Sequence, residues 1–407
     1  MNNRYGKITR IVNYLFIFLA INYTIVVNFI THIDSAGYAL VLLSIIVLFL
    51  NGSSIRVIYL KKPVIFWLLW CIFVTFNYFI HSQPYPLTLI SLIRMVYIPL
   101  ILLIIVDKEY RINSHSLIWI CLITHIVYTI GGYYFDSNLL YRETAGNDNT
   151  LGNLYAINVS FTLFYLALLN RIGKLSWLWF IVLTLVVVLV LALSGTRKAF
   201  GAGLIILVFW ALSYFSIRKV RTWFFVLLFA FLGMKGYTYL LENTFMGARI
   251  EVLEKQREEN LPPGAPQFLN VFGDRSGHYY YGIKQFLERP ITGSGLKQSR
   301  VAGNKDLYFH TEYVAQLVDN GLIGFFLFFA LYFWTAKRIL RKKNQTIKLC
   351  MIGGYVSIMF LMLTAWAWEF PAYFICLGVL VGYCQCDNYD IINENKYNHE
   401  RLKEKYM

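Results

Sequence analysis

Charge is scarce in this chain: only 14% of its 407 residues are Asp, Glu, Lys or Arg, against roughly a quarter in an ordinary soluble domain. With 58% hydrophobic residues and a mean hydropathy of +0.54 spread over the whole length, no room is left for a soluble domain of about a hundred residues or more. A soluble globular protein is excluded, and most of the chain belongs in lipid. Acidic residues are the scarcer kind, 22 against 37 Lys and Arg, an excess that in a membrane protein speaks first of topology. The six cysteines lie in or beside apolar runs and none falls in the polar stretch 241–311, so no disulfide framework is expected. The Cys384-x-Cys386 pair has no further ligands around it and reads as part of the last apolar run.

Several chemical signatures are also missing. No G-x-x-x-x-G-K-[ST] loop is present to cradle phosphates, no H-E-x-x-H to hold zinc and no D-x-D to hold a metal-bound nucleotide sugar. An ATP-driven pump and a cytoplasmic sugar-nucleotide transferase are therefore disfavoured, and no cofactor or metal is expected. The absence of an evident internal repeat weighs against the inverted-repeat transporters.

What is present is a series of apolar runs. A helix crosses about 30 Å of hydrocarbon with about 20 residues, and twelve segments approach that length: 11–30, 36–50, 63–80, 87–106, 114–134, 153–170, 175–194, 199–216, 223–241, 312–335, 348–365 and 369–386. The first lacks a small-residue cleavage site and is read as a retained span. Placing the N-terminus inside gathers Arg4, Lys7, Arg10, Arg56, Lys61, Lys62, Lys108, Arg111, Arg171, Lys174, Arg218, Lys219, Arg221, the cluster Lys337 to Lys348 and the cations of the tail on the cytoplasmic side. Outside the long loop, the other face keeps only Arg142, Arg197, Lys198 and Lys235. The expected fold is thus an all-α polytopic membrane protein of about 12 transmembrane helices, N-in and C-in, with one large external loop between helices 9 and 10. Its parts are helices 1 to 9 (1–240), the external loop (241–311), helices 10 to 12 (312–386) and a polar cytoplasmic tail (387–407).

Function is then sought on the external face. Arg94 lies about two turns inside the outer end of its span, where an arginine costs a few kcal/mol unless it snorkels or faces a polar cavity. Arg197 and Lys198 sit in the turn Ser194-Gly195-Thr196-Arg197-Lys198, on the side that topology should leave free of cations. A lipid pyrophosphate at the outer leaflet accounts for them, because guanidinium presents a planar donor fork to phosphate oxygens. Residues 247–259 read as a charged, solvated helix. Between 275 and 305, Arg275, Lys284, Arg289, Lys297, Arg300 and Lys305 face Glu288 alone, an excess suited to an anion. Within that stretch, Ser276 to Glu288 carries Tyr280, Ile283, Phe286 and Leu287 at helical spacing, predicting a helix that lies on the membrane or on the bundle. Tyr279, Tyr280 and Tyr281 are candidates for stacking on sugar rings. Counting back from Trp334 puts the start of a straight span near 315, so His310 falls just outside the hydrocarbon, where it can take a proton from a sugar hydroxyl.

Taken in order, these residues resemble the bacterial O-antigen polymerase and O-antigen ligase superfamily. The resemblance rests on Ser194-Gly195-Thr196-Arg197 after a long apolar span, Gly273-Asp274-Arg275, Arg289-Pro290-Ile291-Thr292-Gly293-Ser294-Gly295, His310-Thr311-Glu312-Tyr313, and Asp319-Asn320-Gly321-Leu322-Ile323-Gly324. Ahead of them, Tyr141 to Asn149 is similar to an Arg-x-x-Gly…Asn element of the polymerase branch, with three residues here instead of two between Arg142 and Gly146. The set covers 141 to 325. It implies metal-independent, inverting glycosyl transfer on the external face of the bacterial cytoplasmic (inner) membrane, from a glycan carried on undecaprenyl pyrophosphate. Arg197 and Arg275 then hold the pyrophosphate and His310 deprotonates or orients the acceptor hydroxyl. Arg94, Arg142, Arg289 and Tyr280 are added as substrate-binding residues. A chain-length regulator protein is a candidate partner, and nucleic acid is not. Polymerisation of lipid-linked repeat units is the first expectation, with ligation of the finished glycan to lipid A-core as the alternative. A lipid-linked oligosaccharide flippase is a further alternative, although it has no need of a large outer loop rich in Arg and Tyr and would carry charges deep in several spans; a membrane scaffold would leave the external cations and His310 without a role.

Overall fold

The computed structural model describes residues 2–25, 35–52, 62–81, 92–135, 149–193, 197–214, 264–269, 276–296, 311–363 and 370–386. These residues are helical and contain no strand. In chain order the helices are α1 (Asn2–Ile25), α2 (Ser35–Leu50), α3 (Lys62–Ile80), α4 (Ile98–Phe135), α5 (Asn149–Arg171), α6 (Trp177–Leu193), α7 (Arg197–Leu212), α8 (Ser276–Glu288), α9 (Glu312–Leu340), α10 (Gln345–Met362) and α11 (Pro371–Gln385). A π-helical turn, Ile93–Tyr97, leads into α4. Every expected apolar segment coincides with a helix except 223–241, which lies outside the described residues. By length and composition four helical runs can cross a membrane: Lys62–Ile80, Ile93–Gly131, Glu312–Leu340 and Gln345–Met362; shorter apolar helices accompany them.

Local chemistry explains the breaks. The run from 98 to 135 loses helical geometry at Asn113 (φ −154°, ψ 81°), and the Asn113 side chain accepts from Ser116 N at 3.1 Å. Asn113 thus caps a second helix, at the junction expected between 87–106 and 114–134. Asn344 caps α10 in the same way, accepting from Ile347 N at 3.3 Å. Pro63 and Pro371 stand in the first turns of α3 and α11, where the missing N–H costs nothing.

Contacts between helix ends fall into two sets. At one end Asn13 donates to Glu109 Oε1 (2.6 Å), Arg10 pairs with Glu109 (3.6 Å), and Asn13 and Asn51 bond to each other, with Lys108 donating to Asn51. Asp107 and Arg111 form an ion pair of 3.0 Å beside them, and Lys342 donates to the Cys386 carbonyl. At the other end Arg94 meets Tyr23, and Asn77 meets residues 292 and 319.

The core is aromatic and tightly closed. Trp67 and Trp70 of α3, Phe328 of α9 and Phe374 of α11 meet in four tilted or edge-on pairs with ring centres 4.6 to 5.3 Å apart. On α11, Gly378 and Gly382 lie four residues apart; a Cβ on either would stand 2.7 Å from Val106 or Tyr110 of α4. Small residues at this spacing let two helices approach in lipid, where contact area and not water exclusion holds them together. Gly382→Leu should cost about 2 kcal/mol through overpacking, read as a lower melting temperature of the purified protein in detergent.

Candidate functional site

The site begins with a meeting of two backbones. Beyond α8 the chain turns through Arg289–Leu296, with Gly293 N donating to Arg289 O at 3.0 Å. This turn docks on the middle of α9, where Gly321 (φ 61°, ψ −167°) breaks the helix. Ser294 N donates to Val318 O (2.8 Å), Gly295 N to Asp319 O (2.9 Å), Leu322 N to Pro290 O (2.8 Å) and Ile323 N to Ile291 O (3.2 Å). The groups freed by the broken helix are thereby satisfied by the turn. Neither glycine tolerates a side chain: a Cβ on Gly293 would stand 2.5 Å from Asp319 O and Asn320 N, and one on Gly321 would strike the Ile291 carbonyl. Two of the five sequence motifs are therefore halves of one joint.

The break also corrects the expectation of one straight span from near 315. The run is two helical pieces, 312–320 and 322–340, and the first is buried in protein. On it Glu312, Gln316 and Asn320 recur every fourth residue and form a ladder. Gln316 Nε2 donates to Glu312 Oε1 (2.8 Å), Asn320 Nδ2 to Gln316 Oε1 (2.9 Å), and Trp70 Nε1 to Gln316 Oε1 (3.3 Å). The ladder joins the segment after His310 to the glycine joint.

From α3, Asn77 reaches the joint and donates to both Thr292 O (3.0 Å) and Asp319 O (3.1 Å). One turn later His81 Nδ1 accepts from Arg289 Nη1 at 3.2 Å. Burial, and then the neighbouring Arg289 charge, lowers the proton affinity of His81 below the ordinary histidine value. It is thus a neutral acceptor at neutral pH. Helix α8 rests on α9 through Tyr279, Tyr281 and Phe286 against Val314 and Val318, and the Tyr279 hydroxyl donates to Leu363 O (3.1 Å). The docking face thus differs from the expected set: Phe286 is in it, while Ile283 and Leu287 are exposed. The side chains at 279, 280 and 281 fan around the helix, and the face that meets α9 is the one whose residues fill the groove beside Val314 and Val318.

Among the expected site residues, Arg289 is exposed and held by His81. Tyr280 is half-buried, edge-on to Tyr281 at 5.3 Å, with its hydroxyl toward Gly264. Arg94 is half-buried in the π-helical turn, donates to the Tyr23 hydroxyl and lies over that ring at 5.1 Å; a cation–π contact of this kind offsets part of its cost at that depth. Arg94 and Arg289 are not brought into contact. Arg197 opens α7, its side chain outside the described set, and Arg142, Arg275 and His310 lie outside the described residues. Sequence reasoning missed Asn77, His81 and the ladder. The fourfold spacing of Asn77 and His81, and of Glu312, Gln316 and Asn320, was the available signal.

The described chain is an all-helical, multi-pass type of membrane protein that carries a docked turn with an exposed arginine. Residues 180–329 match the family model described as O-Antigen ligase. That match supports the resemblance to the O-antigen polymerase and ligase superfamily. No curated protein matches the chain.

Gly321→Ala should undo the joint, since it combines a positive φ with a direct clash, at a cost above about 2 kcal/mol. The expected result is faster protease cleavage around the turn 289–296, with the helix content of the bundle retained by circular dichroism.

Proposed function

We propose that this protein polymerises undecaprenyl-pyrophosphate-linked oligosaccharide repeat units into surface polysaccharide on the external face of the cytoplasmic membrane. The observation that carries the reading is the O-Antigen ligase match over 180–329. That stretch holds Arg197, Arg275, Arg289, His310 and both halves of the glycine joint. The proposed frame has twelve spans with both termini inside and the loop 241–311 as the active-site segment.

The chemistry follows from charge. As the glycosidic bond breaks, the departing lipid pyrophosphate gains negative charge, so fixed guanidinium groups stabilise the transition state more than the ground state. In this proposal Arg197 and Arg275 take that role and His310 removes or directs the acceptor proton. Transfer is inverting and independent of a metal, with Arg94, Arg142, Arg289 and Tyr280 lining the substrate site. The joint and the ladder supply a fixed backbone on either side of His310, as a transfer reaction requires of its positioning groups. A chain-length regulator is the proposed partner.

The description of the matched family favours a second reading, ligation of the completed glycan to lipid A-core. The Arg142 to Asn149 element, whose residues 142–148 lie outside the described set, supports the polymerase. Surface glycan from a deletion strain separates the two: core with a single repeat and no ladder means polymerase, and bare core with long glycan on the carrier means ligase. An unchanged ladder would remove both. Arg197→Ala, Arg275→Ala and His310→Ala should each abolish complementation while the protein stays in the membrane. Arg275→Lys should also fail, because a single ammonium cannot replace the two-pronged contact. Replacing Arg249 or Arg257 should change little.

A further inference from the structure

Asn77 and His81 stand four residues apart and so occupy one face at the end of α3. Both are spent on the same short turn: Asn77 fixes its backbone at Thr292 and, through Asp319, its seat on α9, while His81 holds the side chain of Arg289. The choice of partner matters. A carboxylate would hold the guanidinium but cancel its charge and compete with an incoming phosphate. A neutral imidazole holds it through one N–H and leaves the positive charge in place. Two ion pairs occur among the described residues, Arg10–Glu109 and Arg111–Asp107, and neither involves Arg289. Arg289 is exposed, so its other N–H donors are open to a ligand. A long side chain fixed beforehand loses less rotamer freedom on binding.

We infer that His81 is a positioning residue that presents Arg289 to a pyrophosphate oxygen of the lipid-linked donor, with Asn77 fixing the turn on which Arg289 rides. The inference rests on the proposed reading of Arg289 as a phosphate-binding residue. It assigns a function to the last turn of α3, more than 200 residues away in sequence from the turn it serves.

The test measures farnesyl pyrophosphate affinity of the full chain in phosphatidylcholine nanodiscs. His81→Ala should weaken binding about fivefold, the rotamer freedom that an unheld Arg289 loses on binding. His81→Asn, whose oxygen falls near the place of Nδ1, should recover most of it, whereas His81→Gln, whose oxygen reaches the Nε2 position, should not. A merely structural role would not separate Asn from Gln in this way, and the pair serves equally if the alanine variant fails to fold. Because His81 acts through Arg289, the His81→Ala and Arg289→Ala double variant should bind no more weakly than Arg289→Ala alone. Additive losses, or equal binding by the Asn and Gln variants, would overturn the inference. If Arg289→Ala binds normally while Arg197→Ala and Arg275→Ala do not, this inference falls and the proposed function stands. If all three arginine variants bind normally, the proposed function falls too.

Discussion

The broken helix at Gly321 is the constraint around which the turn 289–296, the end of α8 and the last turn of α3 are organised. A helix interrupted near lipid exposes carbonyl and amide groups that hydrocarbon does not solvate, so some other part of the chain must satisfy them. Here the turn 290–295 does so with four backbone hydrogen bonds, and the approach is close enough that only glycine fits at 293 and at 321. Satisfying the break therefore fixes the turn, and fixing the turn places Arg289 and the end of α8.

Around this joint, polar groups that would be costly alone are consumed in pairs. Asn77 spends one amide on two carbonyls. Gln316 bridges Glu312 and Asn320 and takes the Trp70 indole proton. The opposite end of the bundle follows the same rule, with Glu109 buried but bonded to Asn13 and paired with Arg10. Between the two ends the core is aromatic and apolar, stacked on Trp67 and Trp70, with Gly378 and Gly382 bringing α11 against α4. Packed helices thus carry a hydrogen-bonded turn, the condition under which a binding group on a loop can hold its geometry.

The sequence was informative where the signal is local. Apolar length marks helices because each span meets lipid on its own account, and the described helices coincide with the expected runs from 11–30 through 369–386, apart from 223–241, which is not described. Ordered short motifs carried the superfamily resemblance, and the match over 180–329 supports it. The sequence was less informative where identity alone had to reveal a face. Ile283 and Leu287 were grouped with Phe286 by spacing, yet only Phe286 joins Tyr279 and Tyr281 against α9.

By itself, then, the sequence determined an all-helical membrane chain and the position of its apolar runs, properties summed over neighbouring residues. Tertiary structure decided which motifs touch. That Gly293 faces Gly321, that Asn77 bridges 292 and 319, and that His81 holds Arg289 are contacts across 28 to 242 residues of chain. A lone Asn or His on an apolar helix has no local signature of its partner. Only the packed bundle, by leaving those polar groups nowhere else to bond, selects it.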